Sequence, residues 1–387
     1  MFRSVAISTT FTIRAVGATP IMMLRYQNYA VPVLRLGCNV ASDMNYQKRC
    51  LHSTGMADST LESTVPIIDM SMSDEELGKS IHHACTTVGF FIIVQHGVPE
   101  ELRARMLQQA RLLFSELTLE EKEAISVKHS NSYRGFQTMG VNVTNGQRDG
   151  HEALDLVSES TRAIVTRSSD SKFKDLTNYG QNQWPDSRLL PDFRNTTEEF
   201  IDAMQAVGLR LMSACSRGLG LDPHFFEPYF DDAYWSMRMI RYPVDSEDRM
   251  DDDYDFGVGE HTDYGVFTMI LCDDVKGTLQ IRRKGQSEWT NVDPVPNGFI
   301  CNLGDMLARW SNNLYVSTPH RVLRPQKSNC HPLQNDRISI PFFFDPNYDS
   351  VISPIGELVE KSKNPLLFDP IMYGDHLLAK TSKNFMV

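Results

Sequence analysis

The sequence predicts a mainly β fold with added α: a β-sandwich or jelly roll in the C-terminal half, wrapped by helices from the N-terminal half. Three observations predict it. From Tyr234 onward the short apolar runs SMRMIRY, GVFTMILC, TLQIRR, GFICNLG, HRVLRP and RISIPFFFD follow one another with Gly, Pro and Asn between them, the spacing of strands in an all-β unit. Ahead of Tyr234, apolar residues recur at helical intervals behind capping residues. At 387 residues, 41% hydrophobic and 22% charged, the chain suits one large domain with additions, or two smaller ones.

The first 57 residues stand apart. They hold Arg3, Arg14, Arg25, Arg35, Lys48 and Arg49 against one acid, Asp43, with many Ser, Thr and Ala. This composition reads as a transit peptide to the mitochondrion or another organelle, processed near RCLHST, residues 49 to 54. The alternative is a disordered leader on a cytoplasmic protein. No apolar run in it is long enough to span a bilayer, so no membrane partner is expected.

Residues 58–230 read as the helical region. VPIIDM, residues 65 to 70, is a short strand, and Ser73 with Glu76 forms a capping box for a helix with Leu77, Ile81, Ala84, Cys85 and Val88 on one face. Gly89 stops that helix and FFIIV, residues 90 to 94, is a buried strand. Pro99 starts a second helix and Thr118 with Glu121 caps a third. A polar stretch around 131 to 150 follows. A long helix is expected after Thr196, capped by Glu199 and closed near Gly220, and no chemistry is visible on these helices. Residues 231–350 form the jelly roll and 351–387 a C-terminal helical tail.

The formal charge of −11 argues against nucleic acid as a partner. Seven cysteines without a C-x-x-C pair read as free thiols in a reducing compartment.

Chemistry enters at GEHTDYGVFTMILC. In an extended chain His261 and Asp263 point to one face, so they are either a buried ion pair or part of a metal site. A third ligand belongs on a later strand. His82, His83, His129, His151, His224 and His376 fall in helices or polar connections, His52 in the leader, His96 at a turn, and His331 beside Cys330 in a loop-like insert. His320 begins a strand within the β unit, and Arg337 and Ser339 lie two apart on the next one.

HTD at 261 to 263, FICNLGDMLARWSNNLYVSTPHRV at 299 to 322 and RISIPFFFDP at 337 to 346 resemble the isopenicillin N synthase-like group of iron(II)- and 2-oxoglutarate-dependent dioxygenases. VPIIDM and GFFIIVQHGVP extend the resemblance from about residue 65 to about 350. It implies a double-stranded β-helix wrapped by N-terminal helices. It also implies that His261, Asp263 and His320 bind iron, that Arg337 and Ser339 bind the 2-oxoglutarate carboxylate, and that Tyr242 in RYP helps hold it. The implied reaction consumes O2, converts 2-oxoglutarate to succinate and CO2, and hydroxylates or desaturates a small organic metabolite, with ascorbate as a candidate reductant and a monomer as the working form. Two imidazoles and one carboxylate leave three metal positions open, and Arg337 offers a planar fork matched to a carboxylate. Two alternatives stay open: an oxidase of the same fold that does not use 2-oxoglutarate, and a non-enzymatic jelly-roll binding protein.

Departures from the family pattern lie between His320 and Arg337, where 16 residues predict an extended loop, and at Thr278, which leaves the register of its strand open. Glu152 and Asp155 in HEALDLV read as structural. Arg238 shares a strand face with Tyr242, so it either pairs with an acid or meets an anionic group on the substrate. Phe343 is named with it as a substrate-side residue.

Overall fold

Ser73 opens the first helix as expected: its hydroxyl accepts from the Glu76 amide (3.4 Å) and donates to the Glu76 carboxylate (2.7 Å). In the computed structural model of the chain, residues 65–130, 132–159, 179–244, 256–330, 336–362 and 365–384 are described. The leader, its proposed processing site and His331 lie outside these residues. The helices are α1 (Asp74–Thr87), α2 (Glu100–Glu116), α3 (Leu119–Glu123), α4 (Phe193–Gly218), α5 (Asp305–Trp310), α6 (Gly356–Ser362) and α7 (Tyr373–Asn384). The strands before Tyr234 are β1 (Ile67–Asp69), β2 (Phe90–Val94), β3 (Gly135–Gln137), β4 (Val143–Thr144), β5 (Gln147–Arg148) and β6 (Glu152–Val157). After it come β7 (Tyr234–Pro243), β8 (Val258–His261), β9 (Phe267–Cys272), β10 (Leu279–Ile281), β11 (Thr290–Asn291), β12 (Phe299–Leu303), β13 (His320–Val322), β14 (Asp336–Asp345), β15 (Val351–Ile352) and β16 (Ile371–Met372).

Two sheets form a double-stranded β-helix. The major sheet runs β1-β2-β12-β9-β14-β7-β6-β3 and the minor sheet β11-β10-β13-β8. Between them Ile281, Leu279 and Val322 of the minor sheet pack with Phe90, Ile240, Tyr242 and Ile300 of the major one. A second, larger core includes buried residues of α1, α2 and α4 together with major-sheet residues such as Phe91, Met237 and Phe342. Gly208 of α4 lies so close to Phe344 that a Cβ there would meet its ring at 2.5 Å. The N-terminal strands occupy both ends of the major sheet, so this sheet draws on both halves of the chain.

FFIIV forms β2 with the expected bounds, Gly89 ends α1 with φ +69°, and Thr118 and Glu121 make a reciprocal capping box on α3. Cys85, Cys215, Cys272, Cys301 and Cys330 are free.

Two expectations are corrected and one element is added. α4 begins at Phe193 rather than after Thr196, because buried Phe193 packs edge-on against Trp184 and draws an extra turn into the helix. Residues 152–157, assigned no element from the sequence, form strand β6. Its acids face arginines across the β6/β7 ladder, Glu152 opposite Arg241 and Asp155 opposite Arg238, so cross-strand ion pairs permit charge where alternation alone would not predict a strand. Finally, His261 and Asp263 do not share a strand: His261 ends β8 in the minor sheet, and Asp263 lies in the turn that leads to β9 in the major sheet.

Candidate active site

That turn brings three side chains together. One ligand atom each of His261, Asp263 and His320 lies within 4.8 Å of the others. β8 and β13 pair with His261 directly opposite His320, and the ring centroids are 4.2 Å apart. Nδ1 of His261 lies 2.8 Å from the Gly259 carbonyl and Nδ1 of His320 lies 3.0 Å from the Thr318 carbonyl. A carbonyl only accepts, so each Nδ1 carries the proton and each Nε2 presents a lone pair. Both Nε2 atoms are 3.7 Å from Oδ1 of Asp263.

Asp263 is positioned by its other oxygen. Oδ2 accepts from Asn302 (2.6 Å) and from the Thr268 hydroxyl, which leaves Oδ1 toward the imidazoles. Burial disfavours its charge, but the two imidazoles and these hydrogen bonds outweigh that and hold its carboxyl below the ordinary range. Burial, reinforced by His320, lowers the pKa of His261 and favours the neutral imidazole a metal requires. The turn allows only glycine at 265, where a Cβ would collide with the Asp345 carboxylate.

Behind the triad, Arg337 is 2% exposed, and its Nε and Nη1 are buried without a hydrogen-bond partner. It lies opposite Tyr242 across β14/β7 with its guanidinium 5.2 Å from the Tyr242 ring centre. A buried guanidinium with vacant donors is costly, and a carboxylate would satisfy it in two-pronged fashion. Ser339 lies buried two residues along the same strand. Burial pushes the Tyr242 phenol up to about 12 despite Arg337, so it remains a neutral donor. Asp273 and Asp336, at the base of this pocket's strands, are tied to Arg111 of α2 at 2.5 and 2.8 Å, so a helix expected to lack chemistry braces the site.

In front of the triad lies a cavity of about 210 Å³. Arg238 and Phe343 line it together with His261 and Asp263. Arg238 resolves toward the ion pair: its Nε and Nη2 donate to Asp155 at 2.6 and 2.8 Å, and Nη2 also reaches Asn142 (3.1 Å). Arg238→Met leaves the half-buried Asp155 carboxylate with Gln137 but without its ion-pair partner and should cost about 2 kcal/mol. A urea midpoint lowered in Arg238→Met and largely restored in Arg238→Met/Asp155→Leu is the expected outcome, whereas an unchanged midpoint would refute the structural role.

Residues 65–187 match the family described as non-haem dioxygenase in morphine synthesis N-terminal, and residues 234–346 match the 2OG-Fe(II) oxygenase superfamily. A homoarginine-6-hydroxylase of Glycine max is 34% identical over 343 residues, covering 84% of this chain and 98% of its own length. The chain belongs to the 2-oxoglutarate- and Fe(II)-dependent oxygenases. Among solved structures the oxygenase is similar to a full-length Neurospora crassa protein in complex with α-KG and thymine, with a TM-score of 0.68, 26% identity and coverage of 82% of this chain and 96% of that one. It is also similar to JOX2 in complex with 2OG, Fe and JA, with a TM-score of 0.66, 28% identity and coverage of 81% and 84%.

Three cavity residues of the oxygenase were missed in the sequence. Asp149 lies in the polar stretch and accepts from the Thr144 hydroxyl (2.8 Å) and the Gly259 amide (3.2 Å). Asp345 ends β14 and accepts from the Val266 amide (2.8 Å) and the Tyr373 hydroxyl (2.6 Å). Tyr373 begins α7 in the tail. Burial, joined by repulsion from Asp263, pushes the Asp345 carboxyl up to about 7 against the pull of those two hydrogen bonds. The only available signal was the D that closes FFFD, a polar residue ending an apolar strand.

Proposed function

We propose that His261, Asp263 and His320 hold iron(II), that Arg337, Ser339 and Tyr242 anchor the far carboxylate of 2-oxoglutarate, and that the cavity beside Arg238 and Phe343 receives the organic substrate. The observation that carries the proposal is the convergence of complementary groups: two Nε2 lone pairs and a carboxylate oxygen meet at one point, and behind them lies a buried guanidinium whose Nε and Nη1 have no hydrogen-bond partner. The donor set suits iron(II), which prefers mixed nitrogen and carboxylate ligands. Bound there, iron(II) with O2 supplies the oxidising chemistry that couples loss of CO2 from 2-oxoglutarate to oxidation of the substrate.

The chain's own residues orient and shield. Gly259 and Thr318 fix the tautomers, Asn302 and Thr268 aim Asp263, and Arg337 sets the distance of the cosubstrate from the triad. The substrate is a small organic metabolite. Homoarginine, thymine and JA, bound or oxidised by the relatives above, differ in charge and shape, so family membership alone does not select among such compounds.

Incubating the purified protein with Fe(II), ascorbate and 2-oxoglutarate should yield slow succinate formation with O2 uptake. O2 uptake that does not depend on 2-oxoglutarate and is unaccompanied by succinate would favour the oxidase alternative.

A further inference from the structure

We propose that the substrate is a small organic cation, an ammonium or guanidinium compound, whose charge is received by Asp149 and Asp345 on the cavity wall. The inference rests on the iron and 2-oxoglutarate reading above and concerns the same cavity.

Four acids line this cavity: Asp149, Asp155, Asp263 and Asp345. Asp155 is engaged by Arg238, the one Lys or Arg on the wall among the described residues, and Asp263 faces the two imidazoles. Asp149 and Asp345 are 3% and 4% exposed and have only neutral donors, a Thr hydroxyl and a backbone amide for the first, a Tyr hydroxyl and a backbone amide for the second. Among the described residues neither forms an ion pair. Burial raises the Asp149 carboxyl above its ordinary range, and Arg238 offsets this only from a distance because its guanidinium is already held by Asp155 and Asn142.

With the cofactors in place, the positive charges of iron(II) and Arg337 balance Asp263 and the doubly negative cosubstrate. No charge of the site's own is then left to balance Asp149 and Asp345 when they ionise. Burial resists charge at both carboxyls, and a neutral molecule could donate hydrogen bonds to them but would do nothing to offset the cost of their ionised form. A cation removes that cost. Phe343, Tyr264 and Tyr373 place aromatic rings on the same wall, a lining that favours a cation over an anion. The volume of about 210 Å³ limits the occupant to a small molecule.

The test uses charge pairs of matched shape. The full chain with Fe(II) and 2-oxoglutarate is titrated calorimetrically without oxygen, with n-butylguanidinium against n-butylurea and n-butylammonium against n-butanol. We expect each cation to bind at least about 10-fold more tightly than its neutral partner, the scale of a desolvated charge pair. In Asp149→Asn/Asp345→Asn that preference should fall to about unity. Asn keeps the shape, and its carbonyl still accepts from the Gly259 or Val266 amide. A neutral partner that binds as tightly as the cation, failure of all four probes to bind, or a preference that survives the double substitution overturns the proposal. The wild-type comparison needs no variant, and substrate-free succinate formation tests the cofactor reading separately.

Discussion

His320→Ala should abolish turnover and lower iron(II) affinity by roughly 100-fold or more, a loss at least as large as that from removing residues that merely orient a ligand. His320 is buried on β13, its ring packs edge-on against Phe90 at 5.2 Å, and its Nδ1 is fixed by the Thr318 carbonyl. Its Nε2 is thus held in place before any metal arrives. Alanine leaves one imidazole and one carboxylate on opposite sides of the crossing between the sheets, too few donors to fix a facial geometry. Anaerobic equilibrium dialysis with Fe(II), beside a urea midpoint to confirm folding, measures the effect. His129→Ala, an exposed control, should bind iron like the parent. If His320→Ala keeps stoichiometric iron and normal succinate output, the third ligand has been misassigned.

Arg337→Lys should raise the 2-oxoglutarate concentration needed for half-maximal rate by about 100-fold while iron affinity stays near normal, on the scale of losing a buried charge-assisted contact. The reason is shape more than charge. Nε and Nη1 of Arg337 lack hydrogen-bond partners in the buried pocket, and each forms with Nη2 a planar edge that matches both oxygens of a carboxylate. Lysine delivers one compact ammonium and loses the contact with the Tyr242 ring. Titrating 2-oxoglutarate against succinate formation, with dialysis for iron, separates the two sites. Equal defects in both would mean that Arg337 supports the fold of the triad instead of the cosubstrate.

Much of this arrangement was legible because its signals are local or periodic. The FFIIV strand, the Thr118 capping box and the Gly89 stop depend on neighbours within a turn or two, and the His261, Asp263, His320, Arg337 and Ser339 constellation is specific as a set. What escaped depends on partners distant in sequence. β6 carries Glu152 and Asp155, which are tolerable only because Arg241 and Arg238 lie opposite them. The extra turn of α4 forms because Phe193 finds Trp184. Asp149 and Asp345 gain meaning only when the fold places a polar loop, a strand end and the first residue of α7 around one cavity.

The placement of the N-terminal strands has a further consequence. β2 covers β12 on one side of the major sheet and β6 covers β7 on the other. A fragment cut at Tyr234 would retain every residue assigned to metal and cosubstrate, yet it would bare two strand flanks with unpaired N–H and C=O groups. Such flanks recruit other chains. The segment before Tyr234 therefore acts as a built-in guard against intermolecular sheet extension, and the solubility of the catalytic half depends on a part of the chain that contributes no ligand to the metal.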